Sequence, residues 1–119
     1  MEIKQIAEKL VQYCRKGQWE AAQKELYADD AVSLEGQAYP GFEKETKGLQ
    51  AITEKGRRFD STVETMHNIT VSEPLVADNA FSITLHMDAT YKGQGRFAMT
   101  ELCVYQVKDG KVISEQFFV

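Results

Sequence analysis

The clearest pattern in the chain is at its C-terminal end, where residues 97–119 read FAMTELCVYQVKDGKVISEQFFV. Apolar side chains recur at every second position on both sides of Lys108-Asp109-Gly110, and period two is the spacing of one face of a β-strand. A three-residue loop with Gly in the left-handed conformation is a common hairpin connector. The stretch therefore predicts an antiparallel hairpin with one apolar face.

Two glutamates interrupt that apolar face. Its members are Phe97, Met99, Glu101, Cys103, Tyr105 and Val107 on the first strand, and Ile113, Glu115, Phe117 and Val119 on the second. The three-residue loop predicts a register in which Cys103 faces Glu115 and Glu101 faces Phe117. A buried carboxylate is costly unless it is paired, protonated or used in function. We therefore expect a pocket beside this face.

Composition indicates one ordinary globular domain over residues 1–119, with 27% charged and 43% apolar residues. The net charge of −4 and the scattered basic residues disfavour a nucleic-acid partner. We interpret the one basic cluster, Lys55, Arg57 and Arg58, as the solvated face of a helix. No apolar stretch is long enough to predict a membrane span. The lack of a signal-peptide pattern and two cysteines in apolar surroundings favour a reducing cytoplasm.

Helical spacing precedes strand spacing along the chain. The first part predicts a helix over about 2–16, a short helix with Trp19, Ala22 and Leu26 inward, a turn at 27–30, a strand at 31–35, a loop at 36–42 with a Pro40-Gly41 turn, and a helix over about 43–59. Beyond Asp60 the pattern predicts strands over 63–71, 80–91 and the hairpin, with a short segment at 75–77. Helices followed by antiparallel strands indicate the α+β class.

The long alternating faces predict the walls of an apolar pocket. Its predicted lining is Leu10, Trp19, Leu49, Ile52, Phe59, Phe81, Ile83, Leu85, Met87, Met99, Cys103, Glu115 and Phe117. Two histidines and two cysteines, none at ligand spacing, predict no metal site. The chain also lacks a glycine-rich phosphate loop, so we expect no cofactor.

Three motifs carry a family resemblance: Gly17-Gln18-Trp19-Glu20-Ala21, Tyr27-Ala28-Asp29-Asp30-Ala31 and Asp109-Gly110-Lys111-Val112-Ile113-Ser114-Glu115. With this order of elements, the chain resembles the nuclear transport factor 2-like superfamily, specifically its SnoaL-like (polyketide cyclase) and ketosteroid-isomerase-like branches. The resemblance implies a cone, in which a highly curved antiparallel or mixed sheet wraps around the long helix and leaves an apolar pocket open at one end. The superfamily includes isomerases, cyclases, hydrolases, dehydratases and binding modules, so the fold does not choose among them.

The resemblance also implies roles for single residues. In the steroid isomerases, the general base is a carboxylate four residues after the last Ala of the Tyr-Ala-Asp-Asp-Ala turn, which is Glu35 here. A protonated carboxylate on the penultimate strand helps form the oxyanion hole; Glu101 matches by face, while counting from the flanking hairpins gives Leu102 or Cys103. The helical tyrosine that completes their site corresponds to Leu10, and Tyr13 lies almost a turn away.

Two functions from different classes follow. The first is cofactor-free proton transfer on a small hydrophobic carbonyl compound, as in an isomerase, cyclase or dehydratase, with Glu35 as base and Glu101, together with Tyr105, as hydrogen-bond donors. The second is a ligand-binding or protein-association module in which these side chains only satisfy polar atoms or fill space. For Glu115 we favour a structural or polar pocket role. The outer face of the hairpin, with Leu102, Val104 and Phe118, predicts a symmetric homodimer.

Overall fold

Residues 1–38 and 41–119 are described by a computed structural model, in which they form three helices and seven strands. The elements are α1 Ile3–Arg15, α2 Trp19–Leu26, β1 Tyr27–Leu34, β2 Glu45–Lys47, α3 Leu49–Thr62, β3 Val63–Val71, β4 Leu75–Val76, β5 Ala80–Tyr91, β6 Gly95–Lys108 and β7 Lys111–Phe118. The predicted α+β class is confirmed, and so are the bounds of the two strands over 63–71 and 80–91. None of the helices in these ranges combines the length and apolar character needed to cross a bilayer.

All seven strands belong to one mixed sheet. Its order is β2-β1-β7-β6-β5-β3, with β4 paired to β5 beside this path. Only β1 and β7 run parallel; every other neighbouring pair is antiparallel. Register shifts interrupt the β1–β7, β3–β5 and β6–β7 pairs. Such bulges bend a strand and increase its local twist.

The helices cover one face of the sheet. The apolar stripe of α1, including Ile6 and Leu10, is buried because its members recur every three or four residues. This helix contacts β3, β4 and β5, whereas α3 contacts β1, β2, β3 and α2. The two helices therefore lie over different parts of the same inner face.

The third helix begins later than the sequence predicts. Glu45–Lys47 pair with β1, where Val32 lies opposite Lys47. Gly48 then has φ +94, a left-handed conformation that favours glycine and interrupts the helix. Tyr27–Asp30, predicted as a turn, instead open β1, so both errors concern one edge of the sheet. Pro40, of the predicted Pro40-Gly41 turn, lies outside the described residues.

The hairpin register differs from the predicted one by two residues. The loop is the two-residue Asp109-Gly110, with φ of +51 and +75 as in a type I′ turn. A bulge then adds Ile113 to β7, so Cys103 lies opposite Phe117, and Tyr105 opposite Glu115. Because of the extra residue, Val112 is fully buried where Ile113 was expected on the inner face. Glu115 and Phe117 remain on that face.

Candidate functional site

A cavity of about 890 Å³ opens between the inner face of the sheet and the helices. Twelve of the sixteen residues predicted for the site line it: Leu10, Trp19, Glu35, Ile52, Phe59, Leu85, Met87, Met99, Glu101, Tyr105, Glu115 and Phe117. Residues outside the predicted set also line the cavity, chiefly Cys14, Gln23, Tyr27, Phe42, Lys55, Tyr91 and Phe97.

Four predicted lining residues do not reach the wall: Leu49, Phe81, Ile83 and Cys103. Phe81 and Ile83 belong to the core cluster that includes the stripe of α1, and the Phe81 ring stacks on Tyr105 with centroids 4.9 Å apart. Cys103 is fully buried beside them. Leu49, in the first turn of α3, packs against the same core. The first part of β5 thus builds core, and only its later part reaches the cavity.

Glu115 is a buried carboxylate whose oxygens both accept hydrogen bonds. The Ser33 hydroxyl donates to Oε2 at 2.6 Å, and the Tyr27 hydroxyl donates to Oε1. The parallel pairing of β1 with β7 creates this contact, because it sets Ser33 directly beside Glu115. Burial raises the pKa of Glu115, while the two donors and the Lys55 ammonium oppose the rise. Both carboxylate oxygens of Glu115 are therefore engaged by donors within the protein.

Lys55 lies inside the cavity, and its interpretation as part of a solvated face is wrong. Its side chain is only 9% exposed, and its Nζ donates to Ser33 Oγ at 2.6 Å and to Glu35 Oε1 at 3.2 Å. The ammonium also lies 5.7 Å from the centroid of the Phe117 ring. The sequence spacing could have predicted this position. Lys55 comes three residues after Ile52, and residues three apart lie on the same face of a helix.

Glu35 follows directly after β1 and is half-buried at the cavity wall. Its backbone N–H donates to the carbonyl of Lys44 at 2.8 Å, which fixes the chain where the strand ends. Its carboxylate forms the ion pair with Lys55. The predicted base is therefore a paired carboxylate and not a free strand-end residue.

Glu101 has far fewer partners than Glu115. Within the described ranges its one hydrogen-bond donor is the Cys103 thiol, 3.7 Å from Oε1, and a thiol is a weak donor. Burial raises the pKa of Glu101 to about 7, and the negative charge of Glu35 adds to the rise. Glu101 thus exists in both protonation states near neutral pH.

Three tyrosines are candidates for the hydroxyl donor that the helical tyrosine provides in the steroid isomerases. Tyr13 does not line the cavity, since its hydroxyl donates to Glu25. Tyr27 and Tyr105 do line it, and burial raises the pKa of each well above 10. Both are therefore neutral hydroxyl groups at physiological pH, and Tyr27 is already engaged by Glu115.

The three helices on a mixed seven-stranded sheet define a protein of the nuclear transport factor 2-like fold class. The SnoaL-like domain model matches residues 1–119, so the chain belongs to the SnoaL-like family. A comparison with curated proteins finds no match.

Solved structures of similar proteins agree with this assignment. A candidate SnoaL-like polyketide cyclase from Mesorhizobium loti is 29% identical, with 100% of both chains covered and a TM-score of 0.91. A nuclear transport factor 2-like protein from Burkholderia thailandensis is 17% identical, covering 99% of this chain and 90% of its own, with a TM-score of 0.84. A protein with a ketosteroid isomerase-like fold from Catenulispora acidiphila, in complex with trimethylamine, is 15% identical over 100% of this chain and 87% of its own, with a TM-score of 0.73. The last two show the fold alone.

Proposed function

We propose that the cavity binds a small hydrophobic carbonyl compound and moves a proton on it without a cofactor, as an isomerase, cyclase or dehydratase does. The observation that carries this proposal is a pair of carboxylates in opposite environments on one apolar wall. Glu35 is ion-paired with Lys55, whereas the pKa of Glu101 is raised to about 7 by burial. A carboxylate held by a cation and a carboxyl group whose burial favours its protonated form provide a base and an acid.

In this mechanism Glu35 removes the proton next to the carbonyl group. Lys55 contacts only one of its carboxylate oxygens, so the other can accept the proton. The protonated form of Glu101 donates a hydrogen bond to the carbonyl oxygen as negative charge develops there. Tyr105, a neutral hydroxyl on the same wall, is the second donor.

A specific observation favours a second candidate function. The charges of Glu35 and Lys55 already satisfy each other without a ligand, and Glu115 is satisfied by Tyr27 and Ser33. Polar groups arranged in this way suit a non-catalytic ligand-binding or association module.

The experiment that separates the two candidates is deuterium exchange at the α-carbon of apolar ketones, measured by mass spectrometry. Glu35→Gln keeps the shape of the side chain but cannot accept a proton, so we expect exchange to fall by roughly 10²–10⁴-fold with ligand affinity nearly unchanged. Glu101→Gln should lower the rate less, because an amide still donates a hydrogen bond. Glu64→Gln, at an exposed position of β3, is the matched control. Equal exchange in all variants, or no exchange in the wild-type protein across the panel of ketones, contradicts the proton-transfer proposal. The non-catalytic binding module is then the remaining candidate.

The outer face of the sheet supports a further proposal, a symmetric homodimer. Leu102 and Phe118 lie opposite each other in the β6–β7 register and are 42% and 45% exposed, which leaves an apolar pair in water. Sedimentation equilibrium should show a dimer that Leu102→Lys weakens. Leu75→Lys, at a more exposed leucine of β4, should leave the dimer intact. A wild-type monomer at high micromolar concentration rules the proposal out.

A further inference from the structure

The cavity wall carries more acidic than basic groups. Three carboxylates line it, Glu35, Glu101 and Glu115, and the one buried cation among the described residues is Lys55. That single charge contacts Glu35 directly and Glu115 through the Ser33 hydroxyl. Lys92 also borders the cavity, but it is exposed. Glu101 is therefore left without a cation of its own.

A second group on the wall lacks a hydrogen-bond donor. Gln23 is only 8% exposed, lines the cavity, and has a side-chain Oε1 that no described residue contacts as a donor. Trp19 lies one helical turn before it, and both side chains border the same cavity. A buried acceptor without a donor is unfavourable. The Oε1 atom is itself enclosed, so a ligand N–H group reaches it when the side-chain amide of Gln23 turns towards the cavity.

Aromatic side chains make up much of the remaining wall. They are Trp19, Tyr27, Phe42, Phe59, Tyr91, Phe97, Tyr105 and Phe117. Tyr91 stacks on Phe97 with centroids 4.5 Å apart and meets Phe59 edge-on at 6.3 Å. Glu101 lines the same cavity as this aromatic cluster, and its negative charge contributes to raising the pKa of Tyr91. Aromatic faces attract organic cations.

We propose that the cavity binds a small organic ammonium ion, a protonated primary or secondary amine with an apolar body. Glu101 is its counter-ion, Gln23 accepts one of its N–H groups, and the aromatic walls enclose the apolar body. The inference uses the cavity of the proposed function but none of its proton-transfer chemistry. Ammonium binding uses the ionised form of Glu101, whereas the proton transfer uses its protonated form, so the two proposals make opposite demands on this residue.

The pH dependence of binding follows from the groups around Glu101. The charged or titratable groups that influence it are Glu35, Lys55, Cys103, Glu115, Tyr91 and Cys14. With a pKa of about 7, Glu101 is mostly neutral at pH 5.5 and mostly ionised at pH 8. An aliphatic amine, with a pKa near that of lysine at about 10.4, stays protonated over this range. Amine affinity should therefore rise roughly tenfold or more from pH 5.5 to pH 8.

Isothermal titration calorimetry with cyclohexylamine and the neutral cyclohexanol tests the counter-ion. We expect the amine to bind at least tenfold more tightly than the alcohol at pH 8, with a pH dependence that only the amine shows. Glu101→Gln should remove both differences, and Glu64→Gln should keep them. If the Glu101 variant does not fold, the pH dependence of amine binding to the wild-type protein still tests the counter-ion. Equal affinities of amine and alcohol, or amine binding that does not change with pH, overturn the proposal.

A second pair of variants tests Gln23. Gln23→Met should weaken cyclohexylamine several-fold and leave cyclohexyltrimethylammonium, which has no N–H group, unaffected. Gln50→Met, at an exposed position of α3, is the matched control. An unchanged amine affinity in Gln23→Met removes this residue from the site. Ketone exchange in the wild-type protein, measured in parallel, reports on the proton-transfer proposal separately, so either proposal can fail while the other holds.

Discussion

Two buried glutamates on different walls of the same cavity differ in how many hydrogen-bond partners they have. On the β1–β7 wall, Glu115 is only 3% exposed, yet two hydroxyl groups and a nearby ammonium compensate for its burial. On β6, Glu101 is less deeply buried but has only a weak thiol donor, and its pKa rises to about 7. Burial alone therefore does not mark a functional carboxylate. The missing partners of Glu101 are what leave it available to a proton or a ligand.

The largest expected effect on stability comes from removing the Lys55 ammonium from the β1–β7 wall. Lys55→Met leaves Glu35 unpaired and removes the donor to Ser33, and we expect the free energy of unfolding to fall by roughly 3 kcal/mol. Urea unfolding measures the loss. Lys24→Met breaks an exposed pair with Glu20 that water screens, and it should lower the free energy of unfolding far less. Similar losses in both variants would show that the β1–β7 wall does not depend on its buried charge.

The unsatisfied glutamate should make stability fall as pH rises. Because the folded pKa of Glu101 is about 7 and the ordinary value is 4.5, the folded protein binds more protons than the unfolded chain between these values. Stability is then lost as pH rises through this window. Between pH 5 and pH 8 the wild-type protein should lose about 2 kcal/mol relative to Glu101→Gln.

Urea unfolding of both proteins at intervals of one pH unit checks this difference. The comparison with a variant matters because other groups titrate as well; Glu20, for example, has its pKa lowered to about 2 by Arg57 and Lys24. Glu64→Gln should run parallel to the wild-type protein. If the stability of Glu101→Gln also changes with pH in parallel with the wild-type protein, then the pKa of Glu101 is not raised, and Glu101 and Glu115 do not differ as described.

The smallest of these effects concerns a single donor to Glu115. Tyr27→Phe removes one of its two hydroxyl partners and should destabilise the protein by about 1 kcal/mol, measured by thermal or urea unfolding. Tyr13→Phe is the control, since its partner Glu25 is 34% exposed and water can replace the lost bond. Equal losses would mean that burial does not strengthen the need for a donor.

Much of the fold follows from local spacing. The strands over 63–71 and 80–91 have the predicted bounds. The side chains of 80–91 alternate along the whole strand, whereas two bulges interrupt the alternation within 63–71. The same alternation placed Glu101 and Tyr105 on the inner face of β6, where both border the cavity. The inward stripe of α1 is equally local, since helical periodicity needs no knowledge of what packs against it.

Contacts between distant segments decided the rest. β2 exists because β1 offers an edge to residues 45–47, and a β-bulge at Ile113, with the two-residue turn, sets the register of the hairpin. The partners of Glu115 lie 82 and 88 residues away in the chain, and those of Lys55 lie 20 and 22 residues away. Side-chain periodicity indicates which face of an element a residue occupies. The free energy of a buried charge depends instead on which groups the folded chain brings within hydrogen-bonding distance. The sequence by itself therefore determined the helical stripe of α1, the strands over 63–71 and 80–91 and the inner face of β6. Only the tertiary structure decided which glutamate has hydrogen-bond partners and which lacks them.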